Sequence, residues 1–137
     1  MLVSVLLGFN KPYLFSQILM LWALIPERFS RSLIENKVEV DIVVSNPPYI
    51  GVNNFVEDIV VATEPKLALF GGEEGYEIYF DFFEQLKIYN QQVKVFWEIG
   101  CDQKSVLKEK GSEFNVDNFK CEKDLFDRDR MISFDWR

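Results

Sequence analysis

The chain has 137 residues, enough for one domain with a sizeable core, and it carries a net charge of −7 with no histidine. The lack of histidine excludes Ser-His-Asp, Cys-His and histidine–metal chemistry. The acidic balance makes nucleic acid a poor candidate for the main partner. The two cysteines, Cys101 and Cys121, have no metal-like spacing; they fit a reducing cytoplasm, and no metal-ligand set is expected.

Residues 1–40 hold four basic against three acidic side chains, and residues 41–137 hold eleven against nineteen, so the acid is concentrated in the later part. Within residues 1–25 the one charge is Lys11, and Lys11-Pro12 divides a short apolar start from a second run at 13–25. That second run is 13 residues long and contains Ser16 and Gln17. It falls short of the roughly 20 residues a membrane span needs. A signal peptide fits poorly, because Lys11 follows the first apolar run and no small-residue cleavage pattern comes after it. The pattern predicts a buried helix with Pro12 in its first turn and Pro26 at its end, the competing reading being a membrane-associated segment.

A polar stretch at 32–39 leads into residues 40–50, which read Val-Asp-Ile-Val-Val-Ser-Asn-Pro-Pro-Tyr-Ile. The β-branched run at 40–44 predicts a buried strand, with Ser45 and Asn46 stopping it. Pro47 and Pro48 cannot donate to a ladder, and a residue before proline is pushed out of the helical region. The chain therefore leaves the sheet in a stiff, extended turn. At the strand's C-terminal end this turn sets the Asn46 amide, carbonyls without competing N–H groups, and the Tyr49 ring. In open α/β sheets ligands bind at such ends.

A loop follows at 51–54, then uncertain structure at 55–61, a turn at Glu64-Pro65, a short apolar run at 67–70 and glycines at 71, 72 and 75. Residues 77–90 repeat apolar side chains at three- and four-residue intervals and predict an amphipathic helix. Residues 93–99 predict a second buried strand stopped by Gly100. Residues 103–110 suit a helix with Gly111 just past its end. Strands are expected near 114–119 and 131–136. This order of elements predicts an α/β layered sheet.

Four blocks carry a resemblance to a known family. Asp41-Ile42-Val43-Val44-Ser45-Asn46-Pro47-Pro48-Tyr49-Ile50 resembles the core signature of the HemK/PrmC glutamine methyltransferases, which modify peptide chain release factors. Glu64-Pro65-Lys66-Leu67-Ala68-Leu69-Phe70-Gly71-Gly72 with Gly75 resembles the loop after that signature. Trp97-Glu98-Ile99-Gly100 with Gln103 resembles the next strand end, and residues 124–130, Asp-Leu-Phe-Asp-Arg-Asp-Arg, the late signature. The blocks stand in family order within residues 40–132, about two thirds of the chain.

The resemblance implies the C-terminal half of a Rossmann-like class I S-adenosylmethionine-dependent methyltransferase sheet, with an atypical apolar N-terminal segment. Residues 1–37 are then a helical apolar segment without a cofactor loop, and residues 38–137 a partial catalytic domain. The family's glycine-rich cofactor loop has no counterpart in residues 1–39, which contain only Gly8, and Glu27-Arg28-Phe29 is a degraded match near the adenine. A truncated or frame-shifted gene, or a mis-set start, is the expected origin of the first 30 or so residues, against a short protein that borrows its missing half from a partner.

The implied substrate site is Asn46, Pro47, Pro48 and Tyr49. Asn46 and the Pro47 carbonyl accept the two N–H groups of the substrate amide, Tyr49 supplies an aromatic wall, and Asn46 also borders the cofactor, S-adenosylmethionine. Glu64, Glu98 and Gln103 are read as structural, and Arg128 and Arg130 as ion-pair partners of nearby acids. The implied partner is a release factor. The alternatives are an N6-adenine-type nucleic-acid methyltransferase, which shares Asn-Pro-Pro-Tyr, and a non-catalytic remnant or binding module.

Overall fold

The structure, a computed structural model, describes residues 18–22, 35, 39–51 and 72–137. Its described elements are β1 (Ile18–Trp22), β2 (Ile42–Asn46), α1 (Glu77–Tyr89), β3 (Val93–Glu98), α2 (Lys104–Glu113), β4 (Asp117–Lys123) and β5 (Asp129–Trp136). The strands form one sheet in the order β1-β2-β3-β5-β4. β1, β2 and β3 run parallel, while β5 pairs antiparallel with both β3 and β4. The α/β class expected from the sequence is the one observed.

Register sets the core. Val43 pairs with Val95, which pairs with Phe134, and Ser45 pairs with Trp97, which pairs with Ile132. Alternation along a strand puts all six on one face, and each of them is buried. α1 covers that face with Tyr79, Phe82, Phe83 and Leu86, the three- and four-residue repeat of its sequence. Trp97 is the hub: the rings of Tyr79, Phe82, Phe83 and Phe134 lie 5.4, 5.6, 5.1 and 5.0 Å from it, the last two edge-on. Such edge-to-face pairs add to plain area burial. The Val40 N–H donates to the Tyr89 hydroxyl at 3.0 Å, so the end of α1 also fixes where the chain enters β2.

Several local expectations need correction. The helix expected over residues 13–25 is, over Ile18–Trp22, a strand paired in register with all of β2. A short apolar run reads alike as buried helix or buried strand, and the parallel partner decides it. Ser45 and Asn46 do not stop β2 but complete it, because pairing to β1 continues through Asn46 and ends only at the prolines. Gly111 lies inside α2 rather than after it. A Cβ there would come within 3.0 Å of Val116 Cγ2, so this glycine answers to close packing and not to a helix stop. The strand expected at 114–119 begins later, at Asp117, after a turn in which Asn115 adopts φ 55°. The expectations for residues 55–61 and 64–70, and the boundary at 37/38, lie outside the described residues.

Candidate functional site

Asn46 ends β2 with its side chain exposed, whereas Pro47 and Pro48 are buried and Tyr49 is half-buried. The four residues thus stand together at the C-terminal edge of the parallel strands, as the sequence predicted. Tyr49 is held at both of its ends. Its hydroxyl donates to Glu98 Oε1 at 3.2 Å and accepts from Arg130 Nη1 at 3.2 Å. Burial, reinforced by the Glu98 charge, pushes its phenol above the ordinary value, so it stays neutral and able to donate. At its other end, the Tyr49 carbonyl accepts from Gln103 Nε2 at 2.8 Å.

Gln103 is 4% exposed and makes two further side-chain bonds. Its Nε2 donates to the Gly75 carbonyl at 3.0 Å, and its Oε1 accepts the Gly100 N–H at 2.9 Å. One amide thereby ties three segments together: the turn after β2, the loop before α1 and the turn after β3. The contact is close enough to dictate glycines. A Cβ on Gly75, whose φ is +90°, would lie 2.4 Å from the Tyr49 carbonyl oxygen, and one on Gly51 would lie 2.5 Å from that of Glu73.

The loop is also anchored from below. The Glu77 carboxylate accepts the N–H groups of Glu74, Gly75 and Tyr76 at 3.0, 2.9 and 3.1 Å. Desolvation opposes its ionisation, but these donors prevail and hold its carboxyl below the usual range.

On the far side, Arg130 reaches Glu98 at 3.9 Å and Asp124 at 3.5 Å. Asp124 in turn pairs with Arg128 at 2.8 Å. The Arg128 hydrogen bond is the main reason the Asp124 carboxyl falls to about 2. Tyr79 donates to the Glu98 carbonyl at 2.5 Å and fixes the strand end on which the Glu98 side chain stands.

The reading of Glu98 and Gln103 as structural agrees with these contacts, as does that of Arg128 and Arg130 as ion-pair partners; Glu64 lies outside the described residues. Sequence reasoning missed that Arg130 also touches Tyr49, that Gln103 spans three segments, and that Glu77 anchors the loop. An acid in the first turn of a helix was the available signal for Glu77. For Gln103 there was only its spacing after Gly100. Among the described residues no group of His, Cys, Asp or Glu could hold a metal ion.

Of the residues that the resemblance sets beside the methyl donor, Asn46 is among those described. Asn46 is exposed where it could border such a group, next to the end of β1 through the Trp22–Asn46 pair. Between Gly8 and Gly51 the sequence contains no glycine.

No model of a known protein family matches the chain. Curated relatives do. The release factor glutamine methyltransferase of Clostridium botulinum is 37% identical over 102 residues, covering 72% of this chain and 36% of that protein. The enzyme of the same name from Staphylococcus aureus is 33% identical over 113 residues, covering 77% and 40%. The one from Lactococcus lactis is 36% identical over 100 residues, covering 68% and 36%. The chain thus spans between a third and two fifths of the length of these relatives. The crystal structure of a release factor-specific protein-(glutamine-N5) methyltransferase from Alicyclobacillus acidocaldarius superposes with a TM-score of 0.51 at 19% identity, covering 81% of this chain and 57% of that one. This likeness shows a shared Rossmann-like fold. With the relatives agreeing on one name, the chain belongs to the HemK/PrmC family, aligned with part of its members' length.

Proposed function

We propose that this chain carries the acceptor half of an S-adenosylmethionine-dependent methyltransferase that modifies the side-chain amide nitrogen of a glutamine in a peptide chain release factor. The observation that carries the reading is the turn itself. Asn46 is exposed at the end of a buried parallel strand, two buried prolines follow, and the next residue, Tyr49, is fixed at its ring and its backbone. An amide nitrogen is a poor nucleophile because its lone pair is delocalised into the carbonyl. Asn46 Oδ1 and the Pro47 carbonyl accept its two N–H groups, hold the nitrogen in one direction and favour localisation of the lone pair. The Tyr49 ring walls the pocket. Pro47 and Pro48 contribute stiffness without a competing donor. S-adenosylmethionine, when bound, supplies an electrophilic methyl group, and Asn46 is the residue here that would border it. On this reading the chain works in the cytoplasm with the release factor as its partner. Among the described residues no helix is long and apolar enough to cross a membrane.

The test is methyl transfer to a release factor by the wild-type chain and by Asn46→Ala. Loss of one of two oriented acceptors is expected to lower the rate about 10²- to 10³-fold without unfolding the protein. Transfer to adenine in DNA instead of to the release factor, or full activity in the variant, sinks the assignment. A second reading, a module that binds the acceptor without turnover, is favoured by the glycine-free stretch between residues 8 and 51. Calorimetry with S-adenosylmethionine tests between the two, because tight binding by this chain counts against the module.

A further inference from the structure

We infer that Gln103 is a positioning residue for the acceptor turn: its buried amide sets the placement of the Pro47 carbonyl by gripping the Tyr49 carbonyl from behind. The inference rests on the amide-methylating reading only for what the turn binds; the mechanical claim stands on the geometry alone.

Tyr49 is the far end of the turn from Asn46, and Pro48 between them has its φ locked. Fixing the Tyr49 backbone therefore leaves few soft dihedrals through which the Pro47 carbonyl could wander. The Tyr49 ring is held separately, by Glu98 and Arg130. Those side-chain bonds do not fix the carbonyl, which can rotate about its own backbone while the ring stays in place. Of the side chains described, only Gln103 bonds that carbonyl, and it does so at 2.8 Å while 4% exposed.

The residue type is demanding. A neutral amide supplies two donors for the Tyr49 and Gly75 carbonyls and one acceptor for the Gly100 N–H. Alanine strands all three backbone groups, and a burial-stranded group is costly. Ionised glutamate keeps the acceptor but turns negative charge toward two carbonyl oxygens. Protonated glutamate recovers one donor. The chain therefore holds its acceptor turn with the same functional group that the turn is proposed to recognise, on the opposite side of one tyrosine.

A merely structural glutamine would cost stability when replaced but leave the folded turn where it is. The experiment uses the full chain, isotope-labelled, as wild type, Gln103→Ala and Gln103→Glu. Nuclear magnetic resonance reads the Asn46 side-chain amide and the Pro47 carbonyl, neither of which Gln103 is seen to touch, alongside methyl transfer from S-adenosylmethionine to a release factor. In Gln103→Ala these resonances are expected to shift at every pH. In Gln103→Glu they should be displaced near pH 8 and return toward wild type as the buried carboxyl takes up a proton on the way to about pH 5. Transfer should follow the same profile, over a range of about 10- to 100-fold. A folded Gln103→Ala whose Asn46 and Pro47 signals coincide with wild type overturns the inference. So does a flat Gln103→Glu profile, which decides the matter if the alanine variant does not fold. A wild-type chain that transfers no methyl group counts against the proposed function, while the resonances still decide the positioning.

Discussion

The turn after β2 and the tip of the β4–β5 hairpin are both tight and polar, yet they are fastened in opposite ways. The turn draws its bonds from far along the chain: Gln103 lies 54 residues from Tyr49, Glu98 49 and Arg130 81. The hairpin fastens itself. Asp124 Oδ1 accepts the N–H groups of Phe126 and Arg128 at 2.8 and 3.1 Å, and its Oδ2 accepts Arg128 Nε at 2.9 Å. Arg128 lies over the Phe126 ring at 5.1 Å, while Leu125 is fully exposed. A self-contained turn forms wherever its own residues are present. A turn assembled from three distant segments takes its geometry only when the whole sheet is in place, as a site with a fixed direction needs.

If that contrast is right, the largest effect comes from a residue that touches the turn without belonging to it. Gly75→Ala adds a methyl group 2.4 Å from the Tyr49 carbonyl oxygen at a φ of +90°. It is expected to cost about 3 kcal/mol in urea unfolding, from backbone strain and overpacking together. A cost under about 0.5 kcal/mol would mean that the loop and the turn do not interlock.

The hairpin should respond instead to its own acid. The folded Asp124 carboxyl, at about 2, lies below its ordinary 3.8. Its contribution is therefore complete above the ordinary value and is lost as pH falls through about 2. Amide resonances of Phe126 and Arg128 should follow that titration. A midpoint near the ordinary value would show that the carboxylate does not hold the turn.

Smallest of all, Leu125→Ser and Phe126→Ser should each change stability by no more than about 0.5 kcal/mol, because both side chains face solvent. A larger loss in thermal unfolding would place one of them against the body of the protein.

The same division governs what could be read in advance. β2, the proline turn and α1 were legible because their causes are local: a β-branched run, two residues without N–H groups, and a repeat of three and four. β1 was not, since Ile-Leu-Met-Leu-Trp takes its strand form from pairing with β2, 24 residues later in register. Gly111 was misread because the space it leaves is needed by Val116 and Phe83, which spacing along α2 does not reveal. Asn46, Pro47, Pro48 and Tyr49 were found together as expected. What holds them was read only as far as the ion pairs, since the carbonyl partners of Gln103 are neighbours in space alone.

The carboxylate of Glu77 has one more effect. Backbone N–H groups at the entrance to a helix that follows a strand are a common seat for phosphate. Here the chain's own acid occupies the donors of Glu74, Gly75 and Tyr76 and brings a negative charge with it. A phosphorylated ligand would have to evict that carboxylate, in a chain whose net charge is −7. The three donors at this corner are thus already satisfied from within the chain.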